Sequence, residues 1–210
     1  MTCGAPFSAH RSFVRGESQR PVVCVREIAL HILDLLQNAV EAGATRVTLL
    51  VEEDQVADLL RIHVGDNGRG MDPASRQRVL DPFFTTRGTR HVGLGLPLLS
   101  AATERAGGTL NVESQAGAGT IVEATFRLSH PDRQPLGNLA DTLLAILLVS
   151  HGPDLNYAHC IRPAEGGAGR SFEFDTSDFR AVLGDLPLAH PSVREWLADY
   201  LAEGEAALVA

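Results

Sequence analysis

The chain has 210 residues, 44% of them hydrophobic and 21% charged, and a formal net charge of −8, the composition of an ordinary globular protein with room for one sizeable domain or two small ones. Every basic residue is an arginine, and the acidic balance opposes a broad nucleic-acid surface, because duplex binding rests on neutralising phosphates with a basic face. With no apolar run of about 18 residues and no signal-peptide core, a cytoplasmic protein is expected, with small ligands and other proteins as partners rather than membrane or nucleic acid.

Cys3, Cys24 and Cys160 are too few and too scattered for a disulfide framework or a cysteine-only metal centre. Residues 1–20 mix Ser, Arg, Gly and Pro without periodicity and read as a flexible arm. From Val22 a short apolar run leads into a helix of about 16 residues, with Ile28, Ile32, Leu35, Leu36, Ala39 and Val40 as its stripe. "EAGAT" should end it, with Gly43 as a left-handed cap.

"TRVTLLVEED" and "LLRIHVGDN" alternate apolar and polar residues and predict two strands joined by a polar turn at residues 53–58. "PASRQRVLD" reads as a short helix, "FFTTRGTRHVGLG" as a Gly and Thr loop, and "LPLLSAATERAG" as a second apolar helix. "GGTLNVESQAGAGTIVEATFRL" predicts a hairpin turning around Gly117 and Gly119. The expected sum over residues 21–129 is an α+β domain, a sheet with helices on one face.

"SHPDRQPLGN" then separates residues 130–210, expected to form a small C-terminal α+β extension. There "LADTLLAILLV" and "SVREWLADYLAEG" read as helices, and "LNYAHCI" and "SFEFDT" as strands around a glycine-rich turn. Residues 131–210 hold 12 acids against 5 arginines, so most of the net charge lies here. Val193, Trp196, Leu197 and Tyr200 share neighbouring turns of the last helix; they suit packing on the preceding hairpin or a partner-docking face.

Four stretches could carry chemistry. Asp34 and Asn38, spaced i, i+4, share a helical face; an amide oxygen there can ligate Mg²⁺ and a carboxylate can polarise a water or hydroxyl, or the pair can be a solvated polar edge. His31, one turn before Asp34, suits a core position or the same face. In "GDNGRGMD", Asp66 ends a strand as an acceptor suited to an amine, and Gly68 and Gly70 let backbone approach a ligand; an Asn-Gly hairpin turn is the alternative. In "TTRGTRHVGLGLPL", Gly93 and Gly95 precede an apolar helix whose first N–H groups can receive phosphate oxygens, with Thr85, Thr86, Arg87 and Arg90 adding hydroxyls and guanidiniums. A glycine-capped loop is the alternative there.

Taken in order, "DLLQNAVEAGATRV", "DNGRGMD", "DPFFTTRGTRHVGLGLPL" and "GAGTIVEATF" resemble the ATP-binding domain shared by gyrase B, the heat-shock chaperone of that superfamily, sensor histidine kinases and the mismatch-repair ATPase, over residues 22–128. The resemblance implies a two-layer α/β sandwich of the Bergerat type and Mg-ATP as ligand. It implies Asn38 as the Mg²⁺ ligand, Asp66 as acceptor for the adenine amine, and Gly68 and Gly70 as shapers of the adenine pocket. Residues 81–95 would form a lid over the triphosphate, with Gly93, Leu94 and Gly95 at its phosphate end and Thr85, Thr86 and Arg87 within it. Thr120 would reach the adenine side through its hydroxyl, directly or via a water.

Hydrolysing members carry a Glu four residues before the Asn; Asp34 stands there, one methylene shorter, as the candidate catalytic acid-base group. The resemblance is compatible with hydrolysis, with transfer to a partner serine, and with binding alone. "HPDRQPL" mimics the kinase His-x-x-Arg-x-Pro-Leu motif but follows the ATP domain instead of preceding it. His130 is therefore either a phosphoacceptor or part of a linker in which Pro135 starts the next helix. The 21 residues before the domain are too few for a dimerising hairpin, so a stand-alone form is expected. The whole chain also resembles small ATP-binding proteins encoded beside iron–sulfur hydrogenases, which implies a regulator or nucleotide sensor of a redox or signalling partner. A mismatch-repair-like DNA clamp is opposed by the acidic balance.

Overall fold

The structure is a computed structural model, and it describes residues 27–81, 95–149, 152–164, 166–184 and 186–209. The first helix, α1 (Ile28–Glu41), buries Ile28, Ala29, Ile32, Leu35, Leu36 and Ala39, the stripe its 3.6-residue period requires. Gly43 ends it at φ 73°, as expected of a left-handed cap. Its N-terminus lacks a side-chain cap. The orphan N–H groups of Ile28 and Ala29 donate instead to the carbonyls of Pro135 and Leu136, at 3.0 and 2.8 Å.

Strands β1 (Arg46–Asp54) and β2 (Leu59–Asp66) pair antiparallel as the alternation predicts, with Leu49 opposite Val64 and Val51 opposite Ile62. After the short α2 (Pro73–Arg78), capped by Asp72, come α3 (Gly95–Arg105), β3 (Leu110–Gln115) and β4 (Gly119–Arg127). β4 pairs with both β2 and β3.

The C-terminal elements are α4 (Leu139–Leu147), β5 (Asp154–Arg162), β6 (Arg170–Asp175), α5 (Thr176–Leu183) and α6 (Pro191–Val209). Their strands do not form a sheet of their own. β5 lies parallel to β1, giving one six-stranded sheet in the order β3-β4-β2-β1-β5-β6. One buried cluster joins α1, α3, α4 and α6 to the sheet, and includes Ile32, Leu49, Ile62, Leu99, Phe126, Leu143, Tyr157 and Leu197. The result is the mixed-sheet, two-layer α+β architecture expected, with the extension built into the same sheet.

Two local expectations differ. Pro135 does not begin α4, which starts at Leu139 behind an Asn138 cap; its carbonyl is engaged by α1. In addition α5, whose Asp175 side chain caps Ser177 N–H at 2.8 Å, fills a stretch for which no element was expected. Tyr200 packs on β6 through Phe172 and Phe174, while Trp196 stacks on Tyr200 and remains 48% exposed.

Among the described residues no helix is long and apolar enough to cross a membrane.

Candidate functional site

The sheet fixes one end of the site. Asp66, the last residue of β2, stands opposite Thr120 in β4, and Thr120 stands opposite Ser114 in β3. Cross-strand partners share a face of the sheet, so three polar side chains form a row there. Asp66 Oδ1 accepts from Gly68 N–H at 2.8 Å, and Ser114 Oγ lies 2.9 Å from Thr120 Oγ1.

The backbone around the row is packed too closely for side chains. Gly70 has φ 62° and Gly119 φ 97°, both in the left-handed region that favours glycine. A Cβ on Gly70 would overlap the Gln115 carbonyl, and one on Gly119 would overlap the Asp66 carbonyl. Gly68 is buried against Ala42 at the end of α1, where an added Cβ would meet the Ala42 Cβ at 2.8 Å.

Residues 67–69 also tie the row to α1. Arg69 donates its backbone N–H to the Ala42 carbonyl at 3.0 Å and Nη1 to the Glu41 carbonyl at 3.2 Å, satisfying acceptors that every helix C-terminus leaves open. Asn67 Oδ1 receives the N–H groups of Thr45 and Arg46, each at 2.9 Å. The loop is thereby locked between α1 and β1.

Asp34 and Asn38, both half-buried, occupy the outer side of the same helix. A Cβ on Gly95, the first residue of α3, would stand 3.5 Å from Asp34 Oδ2. The carboxylate therefore lies against the start of a helix whose peptide dipoles direct positive charge toward it. His31, one turn earlier, is 3% exposed, with the Gln134 side chain beside its ring. Burial pushes its pKa below the ordinary histidine value, against the pulls of the Asp34 charge and the Gln134 side chain.

The structure thus places Asp66, Gly68, Gly70 and Thr120 together at the end of the central strands beside the C-terminus of α1, and Asp34 beside Gly95 at the start of α3, with Asn38 on the α1 turn between. Thr85, Thr86, Arg87, Gly93 and Leu94 lie outside the described residues. His130 is not brought to this site. It follows β4 at the end opposite Thr120, separated from it by most of a strand, a distance of about 23 Å at the usual rise per residue. Its Nδ1 accepts from Asp132 N–H at 3.2 Å, and Arg133 Nε donates to the Leu128 carbonyl at 2.7 Å, so the segment is a hydrogen-bonded linker. Ser114, Asn67 and Arg69 were not expected from the sequence; the alternation of β3 puts Ser114 on the face of Thr120 but does not reveal the partners that converge on it.

The chain belongs to the family described as Histidine kinase-, DNA gyrase B-, and HSP90-like ATPase, which it matches over residues 25–130, and it carries an ATP-binding domain of that kind. It is 36% identical over 103 residues to a putative sensor protein of Shewanella frigidimarina, covering 48% of this chain and 16% of that protein. It is 35% identical over 120 residues to the signal transduction histidine-protein kinase AtoS of Escherichia coli, covering 56% of this chain and 19% of that protein. The catalytic domain of histidine kinase ThkA aligns with a TM-score of 0.40 and 25% identity, over 50% of this chain and 68% of that one. The chain spans about a fifth or less of the length of these two curated relatives.

Proposed function

We propose that the protein binds Mg-ATP in this site and uses the bound nucleotide to control a partner protein, with turnover assisted by Asp34. The observation that carries the reading is the placement of Asp34 against the start of α3, with Asn38 one helical turn further toward Ala42, on which Gly68 packs. A helix start receives phosphate oxygens, and an acid beside it stands where the proton of an attacking water or hydroxyl must go.

The donor set suits Mg²⁺. The described residues hold no cluster of three or more His, Cys, Asp or Glu side chains able to bind a metal, and Mg²⁺ in phosphate-transfer sites keeps several waters and takes one or two protein oxygens beside the substrate phosphates. Asn38 would supply such an oxygen. When bound, the ion would neutralise charge on the β and γ phosphates. Asp66 would accept from the exocyclic amine of adenine, and Gly68, Gly70 and Gly119 let the surrounding backbone pack closely enough to hold that acceptor in place. The lid expected over residues 81–95 lies, except for its two end residues, outside the described residues; bound nucleotide would alter the surface met by a signalling or redox partner.

The test is incubation with Mg²⁺ and ATP labelled at the γ-phosphate, for the natural chain and Asp34→Asn. Free phosphate lost in Asp34→Asn identifies an ATPase. Label passing to an added serine-containing partner identifies a kinase. ATP binding without either product identifies a nucleotide sensor. Unchanged ATP affinity in both Asn38→Ala and Asp66→Ala overturns the site itself.

A further inference from the structure

We infer that Ser114, through its grip on the Thr120 hydroxyl, selects the base of the nucleotide, favouring a 6-amino purine over a 6-oxo purine. The inference rests on the nucleotide-site reading above and concerns a residue that contributes no contact of its own to the ligand.

The argument is a count of protons. Ser114 Oγ has three partners: it receives the Met71 N–H at 2.9 Å, it faces the Gly119 carbonyl oxygen at 3.0 Å, and it faces Thr120 Oγ1 at 2.9 Å. A hydroxyl carries one proton and two lone pairs. The Gly119 carbonyl has no proton to give, so the Ser114 proton goes to it. The Ser114–Thr120 bond must then use the Thr120 proton, and the Met71 N–H and Thr120 O–H together fill both Ser114 lone pairs. Thr120 keeps only lone pairs for anything else it meets.

Its cross-strand neighbour Asp66 is also an acceptor, with Oδ1 held by Gly68 N–H. The end of the sheet therefore offers acceptors on β2 and β4 and asks the ligand for N–H donors. The amine at position 6 of adenine provides two hydrogens. A 6-oxo purine offers a carbonyl there, which would face Thr120 lone pairs with no proton between them, an arrangement that polar sites reject. Ser114 also holds Met71 N–H, and so fixes the loop carrying Gly68 and Gly70 to the same hydroxyl network.

The experiment measures dissociation constants for Mg²⁺ complexes of ATP and inosine triphosphate by calorimetric titration. In Ser114→Ala the Thr120 hydroxyl is released to rotate and can donate to a 6-oxo group, so the preference for ATP over inosine triphosphate falls by about tenfold. Ser114→Cys, which keeps the shape with a weak donor, moves the ratio the same way, and Ser114→Thr retains it. In a Thr120→Val background, Ser114→Ala produces no further change in the ratio. Equal weakening of both nucleotides in Ser114→Ala and Ser114→Cys, or an unchanged ratio, overturns the assignment while leaving the ATP site standing. Failure of the natural chain to bind either nucleotide overturns the site reading and this inference with it.

Discussion

Asp66 and Thr120 face each other across β2 and β4 at the end of the sheet where β2 stops and β4 begins. Because one is held by Gly68 N–H and the other by Ser114, their polar atoms are oriented before any ligand arrives. Asp66→Asn keeps an oxygen for the Gly68 N–H and replaces the remaining acceptor with an amine donor. ATP affinity should fall by at least about tenfold, with little change in the melting temperature. Titration and thermal unfolding of the same preparation check both halves.

Gly119 and Gly117 both lie at positive φ, 97° and 80°, but a Cβ on Gly119 would overlap the Asp66 carbonyl whereas one on Gly117 has nothing within 4 Å. Gly117→Ala should cost about 1 kcal/mol, the backbone penalty alone. Gly119→Ala must also push β4 from Asp66, so it should be the more destabilising and should abolish ATP binding. Urea unfolding of the two variants side by side makes the comparison.

The length of Asp34 can be tested directly. The Asp34 carboxylate already reaches the start of α3, since a Cβ on Gly95 would be 3.5 Å from Oδ2, and an extra methylene would press into that helix turn. Asp34→Glu is therefore expected to lower ATP affinity by about threefold, an effect below 1 kcal/mol, and to give no gain in turnover. A rise in kcat would show that the acid is too short as it stands.

His159 on β5 lies between Glu205 of α6, at 2.9 Å, and Glu53 of β1, at 3.2 Å, while Tyr157 donates its hydroxyl to Glu205 at 2.6 Å. Burial pushes the imidazole pKa down, but hydrogen bonds and charge from Glu205 and Glu53 outweigh it and raise the value to about 9. The folded state thus holds this proton more tightly than the unfolded chain, whose histidine titrates near 6.5. The added stability is complete below about pH 6.5 and is lost as pH rises through about 9. Urea midpoints should fall over that window, and in Glu205→Gln the fall should be shallower.

The elements that depend on local pattern were legible in the sequence. The stripe of α1, its Gly43 cap and the alternation of β1 through β4 each follow from neighbours in the chain. The union of β1 with β5 was not, because Arg46 pairs with Asp154 and nothing in either stretch specifies a parallel partner so far away. The site divides in the same way. Asp34 and Asn38 could be read from helical spacing, and Gly68 and Gly70 from turn chemistry. Ser114 could not, since its meaning arises only where Met71, Gly119 and Thr120 converge on one oxygen. His159 was equally hidden, its two acids coming from positions 53 and 205.

The carbonyls of Pro135 and Leu136 have a consequence for how the protein is made. They close the first turn of α1, yet they emerge from the ribosome more than a hundred residues after Ile28. A nascent chain that has just finished β4 possesses every strand of the ATP-binding end but not the acceptors on which its leading helix rests, nor the β5 partner of β1. A fragment cut at the family boundary near residue 130 would lack those acceptors and that strand partner.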